Sequence, residues 1–112
     1  MAYIFNLYLD QGSDYSYDVQ LTDNNGDILP LVGYEVYAQF RKSYGSNTVY
    51  NFIVTVTDVD NGIINLFFAA EDSMLIQSGI FVYDIKIFNT DTTYTLRVIE
   101  GELLVSPGVT SI

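Results

Sequence analysis

Carboxylates are the side chains of this 112-residue chain best supplied for chemistry: 14 Asp and Glu stand against four Lys and Arg, with no His and no Cys. Without His or Cys, the nucleophile–base pairs of hydrolases cannot be assembled. Two carboxylates flanking a sugar bond remain a workable acid and nucleophile, or acid and base. Two such pairs exist, Glu100 with Glu102 and Asp58 with Asp60. Glu100 and Glu102 fall on the polar side of an alternating segment, where carboxylates are ordinarily solvated. Asp58 and Asp60 stand in Asp58-Val59-Asp60-Asn61-Gly62, a composition that makes turns. A small chain also offers little room for a deep cleft, so no catalytic residue is expected.

Calcium is the other chemistry that oxygen ligands suggest. Asp23-x-Asn25-x-Asp27 and Asp58-x-Asp60 place oxygens on alternate positions, as calcium loops do. The EF-hand pattern then fails. The sixth position from Asp23 is Ile28 and the twelfth is Tyr34, while the twelfth from Asp58 is Ala69. Only a looser site shared between two turns at one end is left, and neither a resident metal nor a cofactor is expected.

Aromatic side chains carry the remaining signal, with ten Tyr and seven Phe but no Trp. Their positions depend on the elements that hold them. In Gly79–Pro107, Tyr83, Ile85 and Ile87 alternate with Val82, Asp84 and Lys86, and Tyr94, Leu96 and Val98 alternate with Thr95 and Arg97. A period of two on both sides of the polar Asn89–Thr92 cluster predicts a hairpin. Past Val98 the parity changes: Ile99, Gly101, Leu103 and Val105 share one side, opposite Glu100 and Glu102. A β-bulge near Val98–Gly101 absorbs the extra residue.

The same alternation recurs along the chain. Tyr3, Phe5, Leu7 and Leu9 begin the first strand, and Tyr15, Tyr17, Val19 and Leu21 share a face of the second. Tyr34, Val36, Ala38 and Phe40 follow, then Phe52, Val54 and Val56, then Ile64, Leu66 and Phe68. Asn25-Gly26 and Asn61-Gly62 are strong turn signals. Pro30 breaks Ile28–Gly33 into a short crossing. Ala69–Gln77 alone has helix character, through Ala70, Glu71, Met74 and Leu75, and Ser78-Gly79 stops it.

Residues 1–112 therefore read as a single all-β domain, an antiparallel immunoglobulin-like β-sandwich of 7–8 strands with one helical turn near 70–77. A barrel of similar strand count is the alternative. Phe81 stands where a tyrosine corner would put a hydroxyl, leaving Tyr83 to supply that bond.

This assignment puts Tyr8, Tyr37, Phe67 and Phe88 on outward faces, with Ile4, Ile53, Ile63, Val82 and Leu104. Strands apolar on both faces normally have both covered, so a partner or subunit interface is expected through Tyr8, Tyr37, Ile53, Phe67, Val82, Phe88 and Leu104. Sugar stacking on a Tyr platform is the weaker alternative. The net charge of −10 disfavours nucleic acid and anionic membranes as partners. The bases Arg41, Lys42, Lys86 and Arg97 form no patch along the sequence. The start, MAYIFNLYLDQG, lacks the basic opening and unbroken apolar core of a signal peptide, and no run approaches a membrane span of ~18 apolar residues.

Two stretches resemble a recurrent family of small tailed-phage virion proteins. In the first half these are Gln11-Gly12, Asp23 to Gly26, Leu31-Val32-Gly33-Tyr34 and Arg41-Lys42. In the second they are Gly79 to Asp84 and Arg97 to Pro107, with Phe81 in place of the family's Tyr. The family is similar to the immunoglobulin-like N-terminal domain of phage baseplate upper proteins. That resemblance implies a non-enzymatic structural or assembly protein of baseplate, tail or head, made in the host cytoplasm and located in the virion. Its partners would be other virion proteins or itself as a homo-oligomer. In such relatives the module often heads a longer chain, so a chain ending at Ile112 is expected to be a standalone component. An extracellular carbohydrate-binding or adhesion module is the alternative function.

Overall fold

The computed structural model describes residues 3–23 and 25–109. Strands β1 (Tyr3–Ile4), β2 (Leu7–Asp10), β3 (Tyr15–Gln20), β4 (Tyr34–Arg41) and β5 (Tyr50–Asn51) form the first half. Strands β6 (Ile53–Asp58) and β7 (Ile63–Phe68) lead to a single helical turn, α1 (Ala70–Ser73), and then to β8 (Gly79–Asn89) and β9 (Tyr94–Ser106). One sheet runs β1-β9-β8-β4-β5, with β2 also on β9, and the other runs β3-β7-β6. The described residues are all-β apart from α1, and the two sheets are mostly antiparallel.

Alternation places the core as the sequence implies. Ala38 and Phe40 of β4, Ile64, Leu66 and Phe68 of β7, and Phe81, Tyr83, Ile85 and Ile87 of β8 are buried. Phe40 joins the two sheets: its ring packs at 5.2 Å on Phe68, 5.1 Å on Phe52 and 5.7 Å on Phe81, between centroids. The bulge in β9 falls on Val98, because Ile85 pairs with Ile99 while Lys86 pairs with Arg97. Val98 and Ile99 are consequently both buried. Ile28–Gly33 forms no strand, only an isolated bridge from Ile28 to Thr22.

Several expectations need correction. The first strand is split, and both pieces run parallel to β9 rather than antiparallel. Tyr3 and Ile4 are both exposed, so alternation begins only at Leu7. This split, together with the two-residue β5, turns the expected 7–8 strands into nine segments among the described residues. Tyr17 and Tyr94, assigned inward, are exposed because they lie on an edge strand and at a hairpin end. In the helical turn and the residues just after it, Ser73 and Ile76 point inward while Met74 and Leu75 face solvent. One turn has too few residues to build an apolar stripe; side-chain hydrogen bonds fix it instead. Asp14 Oδ1 accepts from the Ala70 N–H (2.8 Å), and Ser73 Oγ accepts from the Gly12 N–H (2.9 Å).

The Tyr83 hydroxyl does find a backbone carbonyl, but it is that of Phe5, in the break between β1 and β2. No corner forms with the connection before β8. Burial, followed by the neighbouring Tyr15 and Tyr17, pushes the Tyr83 hydroxyl up in pKa. Burial and then Tyr17 push Tyr15 up to about 12 from 10.0. Raised values mean that the folded state keeps these protons after the unfolded chain has released them. Stability is thus intact below pH 10 and falls as pH rises towards 12. Tyrosinate absorbance should show two hydroxyls titrating only as the fold is lost, checked with Tyr15→Phe and Tyr83→Phe. A single titration shared by every tyrosine would contradict the burial described.

Candidate functional site

The outer face of the larger sheet is a groove of about 640 Å³. Its rungs follow from register. Glu100, Asp84, Gln39 and Asn51 lie side by side across β9, β8, β4 and β5. Arg97, Lys86 and Tyr37 form the next rung, and Thr95, Phe88 and Glu35 the one beyond. On the other side lie Glu102, Val82 and Arg41. Tyr44, from the loop after β4, also lines the groove.

The bulge builds the central feature. Without an extra residue, Arg97 and Glu100 would point to opposite faces, since strand side chains repeat every two. With Val98 absorbed, both face outward. The Arg97 guanidinium then reaches Asp84 (Nε–Oδ2 3.2 Å) and Glu100 (Nη1–Oε2 3.1 Å). The Glu100 hydrogen bond, the largest influence, holds Arg97 still further into its protonated form. Around this pair, Gln39 Nε2 donates to Asn51 Oδ1 at 2.7 Å. The Tyr37 hydroxyl donates to Glu35, which raises the pKa of the phenol. Three acids (Glu35, Asp84, Glu100) balance three bases (Arg41, Lys86, Arg97), so the whole formal charge of −10 lies outside the groove. Lys86 is exposed and makes no ion pair within 4.0 Å among the described residues.

In each carboxylate pair considered for catalysis, one member is engaged elsewhere. Glu100 is bound to Arg97, and Glu102 is exposed two positions on, with its N–H donating to Asn6 Oδ1. Asp58 accepts from the side chain and backbone N–H of Asn61, which lower its pKa. In the first acidic turn, Asp23 Oδ1 accepts from the N–H groups of Asn25 and Asp27; Asn24 lies outside the described residues. Among the described residues, no three acidic side chains converge in a way that would hold a metal ion.

The seven expected interface residues separate into three places. Tyr37, Val82 and Phe88 line the groove, the last two half-buried. Tyr8 and Leu104 pair across β2 and β9 and continue to Ile80, forming an apolar row on the same face. Ile53 and Phe67 are paired on the outer face of the other sheet. Sequence reasoning missed the gathering of Arg41, Lys86 and Arg97 on one face. Their parity within β4, β8 and β9 carried that information, but only once the strands were known to be neighbours.

No protein-family model matches the sequence, and no curated protein matches it. Among solved structures, the chain is similar to Listeria monocytogenes InlP, with a TM-score of 0.52 and 15% identity over 90% of this chain and 26% of that one. It is also similar to a family 123 glycoside hydrolase from Clostridium perfringens, with a TM-score of 0.41 and 10% identity over 95% of this chain and 23% of that one. The chain therefore spans about a quarter of the length of each. The InlP likeness is one of fold; the hydrolase likeness is too slight to support any statement about this chain.

Proposed function

We propose that this protein is a non-enzymatic structural or assembly protein of a tailed-phage virion, an immunoglobulin-like sandwich acting through protein–protein contacts in baseplate, tail or head. The observation that carries this reading is the apolar surface on the outer faces of both sheets: Tyr8, Leu104 and Ile80 on one, Ile53 and Phe67 on the other. Exposed apolar clusters of this kind usually mark contacts. The strand order supports the sandwich type, since β3, β7 and β6 stand apart from β9, β8, β4 and β5 as two groups of strands do in immunoglobulin domains. Here the first strand joins the last. The groove's acids are occupied by Arg97 and Tyr37, which favours a binding role over acid–base chemistry. Nucleic acid and membrane are not partners in this reading, and neither metal nor cofactor is needed. Mass spectrometry of intact particles tests it: the chain should be present in stoichiometric amounts. Its absence from particles would remove the proposal.

A second reading, an extracellular carbohydrate-binding or adhesion module, is favoured by the groove alone. Tyr37, Tyr44 and Phe88 offer ring faces beside side chains already fixed by mutual hydrogen bonds and ion pairs. A glycan array probed with and without calcium, using the native chain and Tyr37→Ala, decides it. Binding lost in the variant supports the module, and no binding in either condition removes it.

A further inference from the structure

We infer that Asn25 is a site of spontaneous covalent modification, at which the backbone nitrogen of Gly26 attacks the side-chain amide and closes a succinimide. The inference stands apart from the virion reading and needs no partner but water. The chain has two Asn-Gly pairs, Asn25-Gly26 and Asn61-Gly62, and every other Asn is followed by a residue with a side chain. Glycine, lacking a Cβ, leaves its nitrogen free to swing towards the preceding amide. By sequence the two pairs are equivalent. Each has two aspartates within three residues, Asp23 and Asp27 for the first and Asp58 and Asp60 for the second. Local charge therefore does not separate them, but packing does.

Asn61-Gly62 is held from several sides. Asn61 Nδ2 donates to Asp58 Oδ2 at 2.8 Å, and the Asn61 carbonyl accepts from Gln20 Nε2 at 3.1 Å. Gly62 is buried, and its carbonyl accepts from the Leu21 N–H at 2.8 Å. A Cβ on Gly62 would fall 2.3 Å from the Leu29 carbonyl oxygen, so the backbone there has no room to turn. Asn25-Gly26 differs on each count. Both residues are exposed, and a Cβ on Gly26 would meet nothing within 4 Å among the described residues. The Asn25 N–H donates to Asp23 Oδ1 at 2.9 Å and the Gly26 N–H to the Asp23 carbonyl at 3.0 Å. Those bonds lie within the turn itself, which can flex without moving a strand.

The step balances with water alone. Hydroxide takes the proton of the Gly26 amide, and that nitrogen bonds to Asn25 Cγ. The Cγ–Nδ2 bond breaks, and the amide leaves as ammonia with a proton from water. Water then opens the ring at either carbonyl, giving aspartate or isoaspartate. Either product adds one negative charge to a chain already at −10. Isoaspartate also lengthens the main chain between Asp23 and Asp27, where the Asp23 N–H donates to the Asp27 carbonyl at 2.9 Å.

Peptide mapping by mass spectrometry, on the native chain incubated at mildly alkaline pH, is the test. Asn25 should convert roughly tenfold or more faster than Asn61, which must first break hydrogen bonds and free a buried glycine. In urea, where neither turn is folded, the two rates should converge. Isoaspartate should accompany aspartate at position 25, because only ring opening produces it. Asn25→Gln should abolish the acidic form that ion exchange separates from the native chain. A folded chain in which Asn61 converts as fast as Asn25, or in which Asn25 stays intact, overturns the inference. So does aspartate without isoaspartate, or a rate difference that persists in urea.

Discussion

Phe40→Ala is expected to cost about 3–5 kcal/mol, the range for deleting a fully buried phenylalanine. Domains of this kind are stable by only about 5–15 kcal/mol, so a sizeable unfolded population should follow. The size of the effect comes from position. Phe40 is completely buried, and besides Phe52, Phe68 and Phe81 it stacks on Tyr50 at 5.1 Å. These rings come from β4, β5, β7, β8 and the residue before β6, so the cavity left by Ala would border both sheets. Neighbours in regular strands cannot close such a void without shifting their ladders, and relaxation would be small. Urea denaturation should give a lower midpoint with an unchanged slope. Tyr44→Ala, at a side chain 72% exposed, should stay within about 0.5 kcal/mol and serves as control. A Phe40→Ala loss below about 1 kcal/mol would mean that the core collapses freely, against the dense packing expected of interiors.

Phe40 also illustrates what the sequence disclosed. Tyr34, Val36, Ala38 and Phe40 alternate with polar partners, and that pattern sufficed to place β4 and choose its inner face. The same holds for Ile64, Leu66 and Phe68 and for Phe81 to Ile87. The change of parity after Val98 located the bulge because an apolar pair, Val98-Ile99, can be buried on one side only if a residue is added. Period-two patterning is a local quantity, and where burial follows it, reading one strand at a time works.

It fails where a residue's surroundings come from distant chain. Tyr17 has the parity of Tyr15 and Val19, yet β3 is an edge and the outer half of its face is uncovered. Met74 and Leu75 suit a helix, but the turn is held by Asp14 and Gly12, more than fifty residues away. The groove was invisible for the same reason. Tyr37, Val82 and Phe88 each read as outward from the alternation of their own strands, and nothing local says that β4, β8 and β9 are neighbours. Their adjacency turns scattered Arg41, Lys86 and Arg97 into a charge-balanced surface. It also splits the seven expected interface residues among three locations.

Gly101→Ala should have the second large effect, about 3 kcal/mol, from overpacking plus hydrogen bonds lost around the break in the first strand. Gly101 lies opposite Tyr83 and against Phe5. A Cβ there would fall 2.2 Å from the Phe5 carbonyl oxygen, 2.9 Å from its carbon and 3.0 Å from Asn6 Oδ1. All three atoms are already committed or bonded to one that is. The Phe5 carbonyl accepts from the Tyr83 hydroxyl, and Asn6 Oδ1 accepts from the Glu102 N–H at 3.0 Å. The Phe5 N–H donates to the Glu100 carbonyl at 2.9 Å, fixing the chain from the other side. Backbone cannot rotate away as a long side chain would, so β1 and β2 must lift from β9. Hydrogen exchange should then quicken in Leu7–Asp10 ahead of β8. Tyr83→Phe should cost about 1–3 kcal/mol, by leaving the Phe5 carbonyl without its donor. The double variant should lose less than the sum, because either change alone already breaks the same bond. Gly45→Ala, where an added Cβ meets nothing within 4 Å, is the matched control. A Gly101→Ala variant as stable as that control would mean that the first strand is not seated on β9 as described.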